Sequence, residues 1–376
     1  TSTIQTPHGG DVWQVARALG IDPRSLFDFS ANINPRGLPA RARQQLAADS
    51  ADSFLLGSYP DPENSDLRAT LARRLGVDTE CLVIGEGAEA LIGAVIRTLR
   101  PSCCLIPTPA FSEYARACAS SKAEVVALPL DPANDFDLDE TVYCRELRTG
   151  RYDLVILNNP HNPSGTLMRP DKVRRLLDQA RFANAFVLVD EAFIDYVPDA
   201  SILQGAVHRP NVIVVRSLTK FYGCPALRVG YAAGDFSTLR SIASSLPTWP
   251  VTLLAANALR ESVQDDDYAQ ATREENTLER SRLAKSLTDL GAYVFPSVAN
   301  FLLLQLRPEW PDATSTRTFL LMHHRILIRN CDSYDGLETG RYVRVAVRTA
   351  AENNRLLRGL EELWNCHELS VPSILE

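Results

Sequence analysis

The sequence lacks any long apolar segment. No run reaches the roughly 18 apolar residues that a membrane-spanning helix needs. The first residues, TSTIQTPHGGDVWQ, also lack the charged and apolar regions of a secretory signal. These absences predict a soluble protein of the cytoplasm that has no membrane partner.

Patterned cysteines and a basic stripe are missing as well. Eight cysteines are scattered along the chain without a C-x-x-C pair, so we expect reduced, mostly buried thiols and neither a metal site nor a disulfide framework. The formal net charge is −7, and acidic and basic residues are interspersed. This balance argues against nucleic acid as the main partner and leaves a small anionic ligand possible.

The chain does contain enough apolar residues for a large core. Its 376 residues are 45% hydrophobic, which predicts two closely joined domains. Helical patterns such as AEALIGAVIRTL alternate with continuous apolar runs: CLVIGEG, CCLIPT, AEVVALPL, YDLVILNNP, AFVLVDEAF, NVIVVRS and RVGYAAGD. Continuous rather than alternating hydrophobicity is typical of parallel strands covered on both faces. The pattern therefore predicts an α/β fold with a mostly parallel sheet.

Three regions follow from these patterns. Residues 1–45 are rich in turn formers and are predicted to form an N-terminal arm, and residues 46–250 contain the α/β pattern. From residue 251 to 376 the pattern changes to long helices with a few short strands. We expect this last region to be a smaller α+β domain.

Polar residues follow several predicted strands at their carboxyl ends, where ligands bind in open α/β sheets. The segment IGEGAEAL, residues 84–91, either binds a phosphate at a helix N-terminus or is an ordinary glycine turn. Asp190 and Glu191 end a buried strand, either as partners of a cationic group or as helix N-caps. Lys220 follows the strand NVIVVR and is either a ligand-binding amine or a surface lysine.

Together these strand ends match the needs of one cofactor, pyridoxal 5'-phosphate. Its aldehyde reacts with a lysine, its ring nitrogen pairs with a carboxylate, and its phosphate binds amides, hydroxyls and an arginine. The sequence therefore predicts this cofactor and a small anionic amino acid as the substrate.

The chain resembles the fold-type I aminotransferase family over nearly its whole length. The resemblance is carried by four features in this order: NPHNPSG, DEAFIDY, SLTK and an arginine eight residues after the lysine. The resemblance implies that Lys220 binds the cofactor covalently, that Asp190 pairs with its ring nitrogen, and that Asn162 hydrogen-bonds its 3'-oxygen. The other expected cofactor contacts are Gly87, Ala88, Ser217, Thr219 and Arg228 at the phosphate, Phe111 stacked on the ring, Glu89, and Phe193, which stands where aminotransferases of this group usually carry a tyrosine.

The same resemblance implies a homodimer with shared active sites. Tyr59 in GSYPDPE resembles the tyrosine that reaches the cofactor phosphate of the neighbouring subunit. Arg344 in YVRVAVRT lies where the family keeps the arginine that binds the substrate's α-carboxylate, although a strand-edge arginine can also be solvated.

Within the family, the stretches HGGDVWQVARALGI, DFSANINPRGLP and RILIRNCDSYDGL resemble the L-threonine-O-3-phosphate decarboxylases of cobamide biosynthesis, with histidinol-phosphate aminotransferases next. The resemblance implies decarboxylation of L-threonine O-3-phosphate to (R)-1-aminopropan-2-yl phosphate, or of a related phospho- or phosphono-amino acid. The alternative is an aminotransferase for histidinol phosphate or for such an amino acid. The sequence departs from the expected decarboxylase pattern at HNPSG, Pro225-Ala226-Leu227, TWPVT and CDSYDGL.

A substrate with both a carboxylate and a phosphate needs two anion sites besides the one for the cofactor. Arg344 can serve one of them. The candidates for the other are His8, Asn32, Arg329 and Arg348. On a strand, residues 344 and 348 share a face, so both guanidinium groups are expected in one cleft. Arg329 and Arg348 can alternatively be solvated or paired with acidic residues.

Two other classes of protein explain the sequence less well than an enzyme. A non-catalytic regulator with a bound cofactor typically carries an additional DNA-binding segment, and the short arm shows no basic helix-turn-helix. A purely structural module gives no reason for Lys220, Asp190 and Arg228 to occur together.

Overall fold

The computed structural model describes residues 9–365. In chain order its strands are β1 Phe27–Asp28, β2 Leu82–Gly85, β3 Cys103–Thr108, β4 Glu124–Pro129, β5 Leu154–Asn158, β6 Phe186–Asp190, β7 Val212–Ser217, β8 Gly230–Gly234, β9 Tyr293–Val294, β10 Phe301–Gln305, β11 Ile326–Leu327, β12 Arg329–Asn330 and β13 Tyr342–Ala346. The helices are α1 Val12–Leu19, α2 Ala40–Ala51, α3 Ser53–Leu56, α4 Ser65–Leu75, α5 Gly87–Leu99, α6 Ser112–Ser120, α7 Glu140–Leu147, α8 Pro170–Phe182, α9 Leu203–Ala206, α10 Phe236–Ala243, α11 Leu253–Val263, α12 Asp266–Asp289, α13 Ala313–His324 and α14 Ala350–Asn365.

The large sheet confirms the predicted α/β fold. Its seven strands follow the order β2-β8-β7-β6-β5-β3-β4, and only β8 runs antiparallel to its neighbours. Alternate residues of each central strand enter different apolar clusters, so that Val155 and Val187 pack on one face while Ile156 and Leu188 pack on the other. Burial on both faces explains the continuous apolar runs in the sequence.

The register of the sheet aligns the strand ends that carry the predicted site residues. Asn158 on β5 is paired with Asp190 on β6, so these two parallel strands end at the same edge. On the other side, Gly230 at the start of β8 is paired with both Gly85 of β2 and Ser217 of β7. The turn before α5 therefore lies beside the end of β7.

A second, smaller sheet has the order β12-β13-β10-β9 and is antiparallel throughout. Helix α14 covers it through Leu356 and Leu360, which share a buried cluster with Leu302 and Leu304 of β10. The long helices expected between residues 251 and 376 include α12 and α14.

The predicted N-terminal arm is built into this C-terminal region. Strand β1 pairs in parallel with β11, and the backbone of Phe29 continues the pairing to Leu327 and to Ala346 at the end of β13. Residues 30–37 then run towards β7, where the Asn34 backbone N–H donates to the Lys220 carbonyl at 3.1 Å. The arm thus connects the small sheet with the loop that follows β7. The domain limits at residues 45 and 250 remain predictions from the sequence.

Within residues 9–365, none of the helices combines the length and the apolar character that crossing a membrane requires.

Candidate active site

A cavity of about 440 Å³ opens at the carboxyl ends of β5, β6 and β7. The structure brings together at its walls most of the residues predicted as cofactor contacts: Gly87, Ala88, Glu89, Phe111, Asn162, Asp190, Phe193, Ser217, Thr219, Lys220 and Arg228. Three of the predicted substrate contacts line it as well, namely Asn32, Arg329 and Arg344. Residues more than 300 positions apart in the sequence therefore form one site.

One end of the cavity is suited to an anion. Helix α5 begins at Gly87 without a side-chain cap on its first amides, and the Ser217 and Thr219 hydroxyls lie nearby at 3.0 Å from each other. Gly87 has a φ of +76°, and a Cβ there would lie 3.1 Å from Nη2 of Arg228. Free amides at a helix N-terminus, two hydroxyls and a guanidinium group are the donors that a phosphate requires.

A network of charged side chains borders this end. Glu89 Oε2 lies 3.9 Å from Nη2 of Arg228, and Glu89 Oε1 accepts a hydrogen bond from Arg116 at 3.0 Å. The Glu89 carboxylate would repel a phosphate, so only its backbone N–H in the first turn of α5 is suited to bind one. The carboxylate instead holds Arg228 and Arg116 at the rim.

Asp190 supplies a buried carboxyl group at the centre of the cavity. Its Oδ2 accepts a hydrogen bond from the Tyr114 hydroxyl at 2.5 Å, and its Oδ1 accepts one from the Ala192 N–H at 2.9 Å. Burial raises the pKa of Asp190 above its usual value, while these hydrogen bonds and the charge of Lys220 oppose the rise. A cationic ligand atom beside this group would favour its ionised form.

Lys220 extends from the loop after β7 into the same space. Its Nζ lies 5.5 Å from the centre of the Phe193 ring, and Phe193 itself is buried against Phe301. Burial lowers the pKa of Lys220, an effect that the negative charge of Asp190 opposes and that Arg228 and Arg344 reinforce. A larger share of neutral amine makes this lysine a better nucleophile than an exposed one.

The other end of the cavity contains two arginines on adjacent strands. Arg329 of β12 and Arg344 of β13 are directly opposite in the antiparallel register, and both are buried. Arg344 donates from Nη1 to Asn162 Oδ1 at 2.5 Å and from Nη2 to the Ser30 carbonyl at 3.0 Å. Its Nε has no hydrogen-bond partner among the described residues. Like charges opposite each other are unfavourable, so an anion between the two guanidinium groups would stabilise this arrangement.

Asn32 adds an acceptor to this end of the cavity. It is buried, and its Oδ1 lacks a hydrogen-bond partner within the described part of the chain. A buried amide oxygen without a donor is costly, so a ligand N–H or O–H would be favourable there.

Arg348 does not reach this cavity. Strand β13 ends at Ala346, so the alternation of side chains does not continue to residue 348. Arg348 instead donates to Glu352 at 2.7 Å and to the Asp28 carbonyl at 3.0 Å, and it lines a separate cavity of about 270 Å³. This corrects the expectation that Arg344 and Arg348 face one cleft and supports the alternative of pairing with an acidic residue.

One further predicted residue, Tyr59, lies apart from the cavity wall. Tyr59 is 78% exposed and stacks on Trp249 with a centroid distance of 4.3 Å. His8 lies outside the described residues.

Sequence reasoning missed several residues of the site. Tyr114 bonds to Asp190, Tyr334 accepts a hydrogen bond from Arg344 at 3.0 Å, and Ser30 provides a carbonyl to the same arginine. Asn158 and Arg116 also line the cavity. A sequence signal existed for Tyr114, which lies three residues after Phe111 and is therefore one helical turn away. No local pattern distinguishes the others.

The chain is similar to known proteins over most of its length. The model of the family described as aminotransferase class I and II matches residues 24–360. A threonine-phosphate decarboxylase from Salmonella typhimurium is 37% identical over 96% of this chain and 97% of its own length. A histidinol-phosphate aminotransferase from Roseiflexus castenholzii is 31% identical over 93% and 92% of the two chains. The structure of the histidinol-phosphate aminotransferase from Sinorhizobium meliloti, solved in complex with pyridoxal-5'-phosphate, matches the fold with a TM-score of 0.84 over 97% of each chain at 22% identity.

The ionisation of Lys220 can be measured because the chain has only four lysines, at positions 122, 172, 220 and 285. Acetylation as a function of pH, followed by mass spectrometry on protein stripped of small ligands, should give Lys220 a midpoint below the ordinary lysine pKa of 10.5. Asp190→Asn should lower this midpoint further, because it removes the negative charge that favours the protonated amine. The exposed Lys122 is the internal reference. A Lys220 midpoint at or above the ordinary value, or an upward shift in the variant, would contradict this electrostatic description.

Proposed function

The chain belongs to the aminotransferase class I and II family, and from this membership we propose that it is a pyridoxal-5'-phosphate-dependent decarboxylase of a phosphorylated amino acid. The preferred substrate is L-threonine O-3-phosphate or a related phospho- or phosphono-amino acid. The observation that carries the proposal is the pair of opposed, buried arginines, Arg329 and Arg344, at the cavity end away from the phosphate-binding turn.

The residues present fit the cofactor. Its phosphate would fit in the space above Gly87, which a Cβ would fill. The hydroxyls of Ser217 and Thr219 and the guanidinium group of Arg228 would be its donors there. Asp190 is the buried carboxyl group for the ring nitrogen. Further contacts would come from Phe111 against the ring, Phe193 beside Lys220, and Asn162 near the ring oxygen.

When bound, the cofactor supplies an electron sink for the electron pair of a bond broken at the substrate's α-carbon. Asp190 would hold a proton on the ring nitrogen, since its carboxylate is hydrogen-bonded by neutral donors only and gains a cationic partner there. Lys220 would attach the cofactor covalently and afterwards move a proton at the α-carbon. Both groups face one cavity, as these roles require.

The arginine pair decides the orientation of the substrate in this proposal. Only the α-carbon bond perpendicular to the cofactor ring is activated, so the placement of the two anionic groups selects the reaction. With Arg344 on the carboxylate and Arg329 on the phosphate, two charge-assisted clamps fix the α-carbon between them. Loss of the carboxylate as carbon dioxide leaves its electron pair at the α-carbon, which then takes up a proton. The reaction therefore needs neither an oxidant nor an amino-group acceptor.

The reaction is tested with carboxyl-labelled L-threonine O-3-phosphate. We expect labelled carbon dioxide and a phosphorylated amine without any keto acid, and far slower release from free threonine, because the phosphate provides binding energy that orients the bond. Lys220→Ala is the control for non-enzymatic release. If no labelled gas appears while amino groups are transferred to 2-oxoglutarate, the chain is an aminotransferase, which is the activity named for the Roseiflexus relative.

The role of the arginine pair is tested by a matched pair of substitutions. Arg329→Met should lower kcat/KM for the phosphorylated substrate by about 10- to 100-fold, since a hydrogen bond to a charged group is lost. Arg348→Met should leave KM near that of the parent chain, because Arg348 binds Glu352 and lines another cavity. Steady-state kinetics on folded protein separates the two variants. Equal losses in both would remove the structural basis of the substrate assignment.

The proposal includes a homodimer in which Tyr59 serves the neighbouring site. Tyr59 and Trp249 form a stacked aromatic pair that is 78% and 47% exposed, outside the wall of the chain's own cavity. Large exposed aromatic side chains are enriched where proteins associate. A cytoplasmic location stays a prediction from the sequence.

Subunit mixing tests this arrangement. A Lys220→Ala chain combined with an inactive Tyr59→Ala chain should regain up to roughly a quarter of the parent activity, because each mixed dimer contains one intact site. Tyr293→Ala, which changes a tyrosine that is 52% exposed, is the control for surface truncation. No recovery despite demonstrated subunit exchange would place Tyr59 in the site of its own chain or in neither site.

A further inference from the structure

A buried histidine lies beside the cavity without lining it. His161 follows β5 in the NNPHNPSG loop and is 8% exposed. Its Nε2 lies 2.8 Å from the Pro109 carbonyl oxygen, and its Nδ1 lies 2.7 Å from Ser164 Oγ. Both ring nitrogens therefore have partners in the protein, and neither is directed to a ligand.

These partners determine which nitrogen of His161 carries the proton. A carbonyl oxygen can only accept, so Nε2 must donate to Pro109. Burial lowers the pKa of His161 to about 4, so the ring is neutral near pH 7 and its other nitrogen has no proton. Nδ1 consequently accepts the single Ser164 hydroxyl proton, and the Ser164 oxygen accepts from the Thr166 N–H at 3.2 Å. The 3.0 Å contact between Ser164 Oγ and Thr166 Oγ1 then has no proton between the two oxygens, because the Thr166 hydroxyl donates to the Asp135 carbonyl at 2.8 Å.

The histidine connects two loops that both contribute to the cavity. Pro109 is two residues before Phe111, in the turn that leads into α6. On the other side, Asn162 directly follows His161, and its Oδ1 accepts hydrogen bonds from Arg344 and Tyr334. The imidazole of His161 therefore links the turn that contains Phe111 to the Asn162 side chain, which contacts Arg344.

The backbone around His161 is too constrained for the ring to move independently. Its N–H donates to the Thr166 carbonyl at 2.8 Å, and its carbonyl accepts from the Gly165 N–H at 2.6 Å. Gly165 has a φ of +83°, and a Cβ there would lie 2.1 Å from Ser297 Oγ, so the turn fits closely against its neighbour. Any displacement of the imidazole would therefore be transmitted to Asn162.

We propose that His161, as the neutral Nε2–H form, is a positioning residue. It fixes the positions of Asn162 and Phe111 relative to the cofactor and the substrate. The statement about the cofactor and substrate rests on the proposed function. The hydrogen-bond arrangement of His161 itself does not.

The proposal is tested with two variants of different chemistry. His161→Gln keeps an N–H donor that can reach the Pro109 carbonyl, whereas His161→Phe keeps the ring volume and removes both hydrogen bonds. Tyr143→Phe, which changes a fully buried tyrosine of the same domain outside the cavity wall, is the control for altering a buried polar side chain.

Three measurements decide the outcome. ¹⁵N-histidine NMR, assigned by the signal lost in His161→Gln, should show the Nε2–H form in the parent chain. Equilibrium binding of pyridoxal-5'-phosphate should weaken about tenfold in His161→Phe, and KM should rise more than kcat falls, while His161→Gln restores both to within about threefold. The urea midpoint, read by circular dichroism, verifies that each variant is folded.

Several results would overturn the proposal. They are an Nδ1–H signal in the parent chain, cofactor binding in a folded His161→Phe variant equal to that of the Tyr143→Phe control, and a folded His161→Gln variant that binds as weakly as His161→Phe. If His161→Phe does not fold, the NMR result still decides, and a folded His161→Gln variant that binds the cofactor more than about threefold more weakly than the parent chain also overturns the proposal. Neither of these requires carbon dioxide release, so a failure of the proposed reaction would be recognised separately.

Discussion

The parallel pairing of β5, β6 and β7 is the constraint on which the site depends. Because Asp190 is level with both Asn158 and Val215, the three strands end at one edge and their polar residues converge there. A buried ion pair ties the last residues of this edge together. Arg216 of β7 donates to Glu191 after β6 at 2.9 Å, and Glu191 also accepts from the Ser201 hydroxyl and the Ile202 N–H. With its acceptors satisfied, the pair offsets the cost of burying two charges and holds Asp190 and Ser217 in place.

The N-terminal arm connects this edge of the sheet to the part of the cavity that contains Arg344. Residues 27–29 extend the C-terminal strands, and the Ser30 carbonyl that follows accepts a hydrogen bond from Arg344. A few residues later, Asn34 donates to the carbonyl of Phe221 through its side chain at 2.7 Å, next to Lys220. Gly223 permits the close contact, since a Cβ there would lie 2.6 Å from the Cα of Gly37. The arm is therefore a structural link between the lysine loop and Arg344.

Most residues of the proposed cofactor half of the site were predictable from the sequence, and most of those in the proposed substrate half were not. Asp190 ends β6 and Lys220 follows β7, so their meeting at one edge follows from the parallel pairing of these strands. Arg228 lies just before β8, whose antiparallel start is at the same edge. Arg344 was also predictable, from its place in the resemblance. Arg348 was placed wrongly because its position depended on where β13 ends, and a strand end is set by hydrogen bonding with β10 rather than by the local sequence. Ser30 and Tyr334 were missed because long-range contacts alone bring them to Arg344.

The sequence by itself determined the fold class, the order of the strands that bear functional residues, and the chemical types of the groups at their ends. These properties depend on apolar periodicity and on residue identity, both of which are local. Only the tertiary structure decided which arginine faces Arg344, which side chain binds Asp190, and which nitrogen of His161 bears the proton. The first depends on the register of β12 and β13, and the other two depend on hydrogen bonds of 2.5 and 2.8 Å between residues far apart in the chain. Register and packing set these relations, and no local pattern does.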